Sequence, residues 1–441
     1  MKRASGLLIL LSSVAAAQQQ PPIRQLGAVS AKSTTTWSTI ASVRALPGGR
    51  VLVNDVGGRK LVLLDSTLSE VGVVADTTAA TATAYSGRVA NLIPFRADSS
   101  LFVDPQSMSM MVIDPKGKMT RVMALPRSED AAALGGFQGL GAGIDANGRL
   151  VYRAPFRFIR RGPPAAGANG LPPMPTPPES AAIVRVDLGT RHVDTVGIIK
   201  IPKMNVQMSQ DDKGNVRVTM EMNPLPTVDD WTVLSDGSIA FVRGQDYHVD
   251  FINADGSKTS APKVPFEWQR LSDEDKVAFI DSVKAARARL ANSPQGAPVP
   301  AGAPAGAPAG GAGTDGGSRT RVMIQMGPDG GAGARGGAAS FNSQSQVSFV
   351  SPSELPDYKP AFFANSVRAD ASGNLWVLTI PTRKIAGGPV YDVINHEGKL
   401  VDRVQMPEGR TITGFGADGS VYLVTRDAAA STMTLERAHV R

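Results

Sequence analysis

The 441-residue chain has no cysteine. Disulfide staples, thiolate-held zinc or iron–sulfur centres and a thiol nucleophile are excluded with it. Histidines number only 4 and aromatics 5% of residues. No apolar run reaches the length of a membrane-spanning helix, so no transmembrane segment is expected. Basic runs are missing too: the formal charge is +7, yet no five Lys or Arg stand together. A solvated, mildly basic surface fits this balance better than nucleic-acid binding does. What the chain does have is hydrophobic content, 42%, with 19% charged residues, which is too apolar for bulk disorder. Its 46 Gly and 32 Pro indicate a turn-rich fold carrying some low-complexity sequence.

The beginning of the chain has the layout of an export signal. Lys2 and Arg3 precede the apolar run Leu7–Leu11, and Ala15-Ala16-Ala17 offers small residues for cleavage before Gln18. No cysteine follows, which excludes a lipid anchor on that residue. Residues 1–17 are therefore expected to be a cleavable signal peptide. Residues 18–441 would then be the mature, periplasmic or secreted chain.

A turn followed by an apolar run recurs six times. The instances begin at Pro47-Gly48-Gly49, Ala97-Asp98-Ser99, Ala146-Asn147-Gly148, Ser235-Asp236-Gly237, Ala371-Ser372-Gly373 and Ala417-Asp418-Gly419. Asp-Gly and Asn-Gly tolerate positive φ, so two-residue hairpin turns with alternating strands are predicted. A second signal follows most of them, an apolar strand ending in Asp or Asn, as in Leu61–Asp65, Met110–Asp114 and Ile183–Asp187. Each unit then reads as a four-stranded antiparallel meander, which must stack on neighbours to bury both faces. The last unit ends one strand short. Residues 23–32 are free to supply that strand and close a ring, which would remove an exposed edge. A solenoid or a sandwich is the competing arrangement.

This pattern of strand order and Asp-Gly turns resembles the six-bladed β-propellers of the NHL-repeat and TolB-like kind, over about residues 23–155, 181–265 and 361–441. The resemblance implies an all-β, six-bladed propeller. Relatives of that architecture include lactonases, lyases and pure interaction scaffolds, so it does not assign an activity.

Three insertions interrupt the repeat. Residues 155–180 are Pro-rich, 202–226 read as an alternating hairpin, and 266–360 hold a helix, an Ala/Pro/Gly tract and a further alternating pair. The helix is marked by Ser272 with Asp275 as a capping pair and by acids in its first turn. Phe279, Val283, Ala286 and Leu290 form its apolar stripe. From Pro294 to Gly337 the chain is expected to be disordered, apart from the alternating stretch Thr320–Met326. In a four-stranded meander all three insertions fall on one face, the face that also receives the ends of the second strands. Insertions gathered on one side of a repeat array often mark its binding face. The second strands end at Asp55, Asp104, Arg153, Arg243, Thr379 and Arg426. Asp55, Asp104, Arg153, Arg243 and Arg426 are accordingly the candidate ligand-binding residues, with ordinary solvated loop charges as the alternative reading.

No catalytic signature appears. His192, His248, His396 and His439 lie in different units, away from any shared metal site. Gly414–Gly419 matches a dinucleotide fingerprint in letters only, because a strand follows it and no helix N-terminus is there to meet a pyrophosphate. Asp55 and Asp104 with Asp229 or Asp230 are the only carboxylate set open to holding a divalent cation. Trp231, Phe362 and Phe363 begin strands beside the channel mouth, where they line a pocket or pack the core. No catalytic residue, metal or cofactor is assigned. The expected function is an exported binding or protein-interaction module, its partner a protein or a polar small molecule. The alternative is a metal-assisted, lactonase-like hydrolase or lyase in the central channel.

Overall fold

The turn-and-strand repeat builds four-stranded antiparallel meanders. The structure, a computed structural model, describes residues 20–79, 81–87, 91–135, 141–155, 177–210, 216–292, 344–383, 385–427 and 429–440. The signal-peptide reading, most of the 155–180 segment and the whole of the 294–337 tract lie outside the described residues.

A first strand, β1 (Ile23–Lys32), precedes the sheets. The first sheet contains β2 (Ile40–Ala45), β3 (Val51–Asp55), β4 (Lys60–Leu64) and β5 (Glu70–Ala75), in that order. The second contains β6 (Asn91–Pro94), β7 (Ser100–Asp104), β8 (Ser109–Ile113) and β9 (Met119–Ala124). A short helix, α1 (Ala131–Leu134), leads to β10 (Gly143–Ile144), β11 (Leu150–Arg153), β12 (Ser180–Val186) and β13 (Val193–Lys200). Next comes a hairpin, β14 (Met204–Gln210) and β15 (Val216–Met222), which belongs to no meander. The fourth meander is β16 (Asp230–Val233), β17 (Ile239–Arg243), β18 (His248–Ile252) and β19 (Lys258–Ser260). Helix α2 (Asp273–Asn292) and strand β20 (Gln344–Phe349) follow. The chain ends with β21 (Phe362–Ala369), β22 (Leu375–Thr379), β23 (Val390–Ile394), β24 (Leu400–Gln405), β25 (Arg410–Phe415), β26 (Ser420–Asp427) and β27 (Thr432–Val440).

Strand β1 pairs antiparallel with β27, from Leu26 opposite Val440 to Lys32 opposite Glu436. It therefore supplies the outer strand that β25–β27 lack. It also touches β24 in parallel over Ile23–Gln25, which fuses the last two meanders into one eight-stranded sheet.

Apolar side chains fill the gap between each sheet and the next. Leu63, Phe102 and Met111 lie between the first two, and Leu101, Tyr152 and Val186 between the second and third. Val151, Trp231 and Phe241 join the third to the fourth. Tyr247, Phe251, Leu375 and Ile394 carry the contact to β21–β24, and Trp376, Val393 and Leu423 to β25–β27. Tyr422 and Val424 then pack on Val53 and Val62 of the first sheet, so the succession returns to its start. A fully buried Val, Leu or Phe contributes roughly 1.5–3 kcal/mol, and these interfaces hold dozens of such groups.

Two sequence expectations need correction. The central strands do not alternate: Val51–Asp55, Ser100–Asp104 and Val390–Ile394 are buried at every position. Each is sandwiched by a neighbour on both faces, and polar alternation has no solvent side to serve. The turns are also longer than two residues. Gly148 N–H donates to Asp145 O at 2.8 Å, and Asp145 Oδ1 accepts the N–H groups of Asn147 and Arg149. Asp370 organises the turn through Gly373 in the same way. An aspartate at the first position closes the turn with its side chain, and glycine at the fourth takes the positive φ (76° at Gly148).

The inserted elements also differ from expectation in two respects. Strand β20 pairs in parallel with β15, Arg217 opposite Gln344 through Met222 opposite Phe349. Segments from two separate insertions thus share one three-stranded sheet, and among the described residues β20 is the only strand between α2 and β21. Helix α2 begins as read, with Ser272 N–H donating to Asp275 Oδ2 and Asp275 N–H to Ser272 Oγ. The deepest of its described side chains, however, is Ile280, one position off the Phe279–Val283 stripe. Ile280 enters a cluster with Leu225, Val350, Leu355 and Ile380, while Phe279 packs at its edge. Lys276 is buried beside them and reaches Asp357 at 2.8 Å.

Candidate functional site

Antiparallel order puts the ends of second strands and the starts of third strands on one side of each sheet. The cluster around Ile280 joins the link before β16, helix α2, the segment after β20 and the loop after β22. Phe363, near the start of β21, packs against it. The inserted elements therefore pack over the side where the second strands end.

The five candidate residues on that side meet different fates. Asp55 is buried and accepts Thr39 N–H at 2.9 Å and Gly58 N–H at 2.9 Å. A Cβ on Gly58 would lie 2.3 Å from Asp55 Oδ2, so that turn is built around the carboxylate. Asp104 is likewise buried and accepts Ser86 N–H at 2.9 Å and Ser107 Oγ–H at 2.7 Å. Burial would push the Asp104 carboxyl up, but these hydrogen bonds outweigh it and hold it below the usual range. Both aspartates clamp the incoming link of their own sheet. Arg243 is tied to Asp229 and Asp250 at 2.9 and 2.8 Å, and to Ile198 O at 2.9 Å. Arg426 is exposed near the end of β26, opposite Met433.

Arg153 is different. Burial holds its guanidinium below the usual value, with the Asp230 carboxylate working against that effect. Among the described residues, no hydrogen bond or ion pair of its guanidinium is found. It lines a cavity of about 20 Å³ together with Ile199, Ile201, Pro202, Asp229, Asp230, Trp231, Ala364 and Asn365. Asp230 is 7% exposed, and its oxygens accept Trp231 N–H and Val367 N–H, both at 2.9 Å. Burial raises its carboxyl from 3.8 to about 6, a shift that the backbone N–H groups of Val367 and Trp231 only partly offset. Trp231 and Phe362 are core residues, 3% and 1% exposed.

Ala364 and Asn365, which line the cavity with Arg153, were not singled out by sequence position. Strand β21 loses register between Phe362 and Val367. Asn365, within that bulge, adopts φ 63°, a left-handed value asparagine tolerates better than most residues. A second, wider pocket of about 410 Å³ is lined by Arg59, Ser86, Gly87 and Gln106. Arg59, Ser86 and Gln106 are exposed, so that pocket is a solvated hollow with little desolvation to strengthen a polar contact. The histidines stay apart: His192 meets Asp194, His248 meets Asp246 and Asp250, and His439 meets Asp418. Among the described residues no three His, Asp or Glu side chains converge as a metal-holding group. No helix of the described residues is long and apolar enough to cross a membrane.

Meanders stacked face to face around a closed succession define a β-propeller, and the chain is one. No family model and no curated protein matches it. Among solved structures it is similar to a gluconolactonase from Xanthomonas campestris, at 10% identity over 96% of this chain and 99% of that one, TM-score 0.36. A streptogramin B lyase aligns at 11% identity over 92% and 96% of the two chains, TM-score 0.35. A protein from Bacteroides fragilis described as exported aligns at 8% identity over 96% and 98%, TM-score 0.45.

Proposed function

We propose that the chain is an exported six-bladed propeller, akin to the NHL-repeat and TolB-like kind, that binds a ligand or protein through its insertion-bearing face. Six blades are supported by the number of meanders, counting β1 with β25–β27, and by the apolar contact from the last meander back to the first. Residues 1–17 would be removed on export, leaving a periplasmic or secreted propeller over 18–441 with insertions at 155–180, 202–226 and 266–360. The observation that carries the binding reading is Arg153, a desolvated guanidinium with no hydrogen bond or ion pair among the described residues, in a cavity on that face. Holding a buried cation unpaired destabilises a fold, and such groups concentrate where ligands bind. Arg243 and Arg426 form the surrounding rim, while Asp55 and Asp104 shape the loops.

A thermal-shift panel of anionic and neutral small molecules tests this, run on the parent chain, Arg153→Gln and Lys116→Gln on the opposite face. Stabilising compounds that lose their effect only in Arg153→Gln are the expected result. The competing reading, a metal-assisted hydrolase or lyase, gains if added divalent cations elicit lactone or ester turnover that survives Arg153→Gln.

A further inference from the structure

The charges around the Arg153 cavity balance only while Asp230 is ionised, when Arg153, Arg243 and Arg368 face Asp229, Asp230 and Asp250. Asp229 is neutralised by Arg243 at 2.9 Å, and Arg243 is held in turn by Asp250. Asp230 spends its oxygens on the N–H groups of Trp231 and Val367, so it acts on Arg153 only across space. Arg368, on β21, adds a further positive charge near Asp230, its Nη1 donating to Asn365 O and Val367 O at 2.9 Å. When Asp230 is protonated one positive charge is left over, and Arg153, which has no hydrogen bond or ion pair among the described residues, borders a hollow of about 20 Å³. Half-buried Ile201 and Pro202 form an apolar lip.

We propose that this cavity seats the carboxylate head of a small monoanionic ligand, with Arg153 as counter-ion and the apolar part of the ligand against Ile201 and Pro202. This rests on the binding reading above and names its ligand class. A guanidinium fork matches the two oxygens of a carboxylate. A phosphate is disfavoured, because its second charge would face Asp229 and Asp230 with no further cation among the described lining residues to meet it. The site is also proton-coupled. Below about pH 6 Asp230 keeps its proton and Arg153 acts alone on the anion; above it, the ionised Asp230 competes for Arg153 and repels the ligand. The arginines that face the cavity stay charged throughout.

Ligand-observed NMR on the full chain tests the proposal, with butyrate, butyramide and inorganic phosphate as probes at pH 5 and pH 7.5. Butyrate should bind at pH 5 and weaken several-fold at pH 7.5, with the other two at least about tenfold weaker at pH 5. Arg153→Gln, checked for an intact fold by circular dichroism, should abolish the signal, and Asp230→Asn should flatten the pH dependence. If Asp230→Asn fails to fold, the pH response of the parent chain decides that point. Absent butyrate binding, equal binding of butyramide or phosphate, or pH-independent binding overturns the carboxylate assignment. In that case an Arg153-dependent hit of another class in the thermal-shift panel leaves the broader binding reading standing.

Discussion

The hydroxyl of Tyr247, in the turn between β17 and β18, donates to Asp392 Oδ2 of β23 at 3.0 Å. Arg403 reaches the other carboxylate oxygen through Nε at 3.2 Å and Gln20 Oε1 through Nη1 at 3.0 Å. A single buried carboxyl thus links two adjacent sheets to the segment that leads into β1.

That carboxyl makes stability pH-dependent. Burial raises Asp392 from 3.8 to about 6, against the pull of Arg403 and Tyr247. A raised folded value means that its contribution is complete below about pH 4 and is lost as pH climbs through about 6. Asp230 acts in the same window and in the same direction. Urea unfolding of the parent should show stability falling between pH 4 and 6.5, by on the order of 2 kcal/mol per group. Asp392→Asn should remove part of that slope; an unchanged slope would place the titration elsewhere.

Gly237→Ala should destabilise the chain by roughly 1–3 kcal/mol. The residue has φ +85°, and an added Cβ would stand 2.2 Å from the backbone nitrogen of Ala146 in the neighbouring turn. Gly256→Ala, at φ +87° with nothing within 4 Å, separates conformational strain from collision and should cost less. Equal losses in the two melting curves would count against the collision.

Deleting residues 23–32 should lower the melting temperature sharply, because β27 and β24 would both lose a paired neighbour. The milder Leu26→Ala should cost about 2–4 kcal/mol, since Leu26 is 7% exposed among Tyr391, Val404 and Val421. A deletion that melts with the parent would refute closure through β1.

Arg153→Met should raise the melting temperature of the ligand-free chain, by an amount equivalent to about 0.5–2 kcal/mol. The change exchanges a desolvated cation, without an ion pair among the described residues, for an apolar chain of similar length. Arg243→Met, which strips partners from Asp229 and Asp250, should do the opposite. Differential scanning calorimetry of the two variants reads the contrast directly.

Local signals carried most of the architecture. Asn147-Gly148, Asp236-Gly237 and Ser372-Gly373 announce turns within a few residues, and the free strand Ile23–Lys32 was recognisable because the last unit was one short. The parallel pairing of β15 with β20 was illegible, since partners more than a hundred residues apart leave no periodicity in either strand. The site was half legible. Position in the repeat named Arg153 and Arg243 together, but only geometry shows that Asp229 and Asp250 bind one directly, while the other has no ion pair among the described residues and feels Asp230 only across space. The same blindness made Asp55 and Asp104 look like rim charges when their oxygens are consumed by nearby backbone and serine donors.

Strands β15 and β20 bracket the fourth meander in sequence and pair with each other in space. The segment from Asn223 to 343, which includes β16–β19 and α2, is therefore a loop cinched at its base, and its ends meet only after everything between them has been made. During synthesis β15 emerges with β14 alone as a partner and must wait for β20, so this small sheet is a late event in the folding order. The same knot works in reverse as a timer: the fourth meander cannot peel away from the ring along its full connection until the β15–β20 ladder opens, which makes that ladder the natural place to set how long the native state lasts.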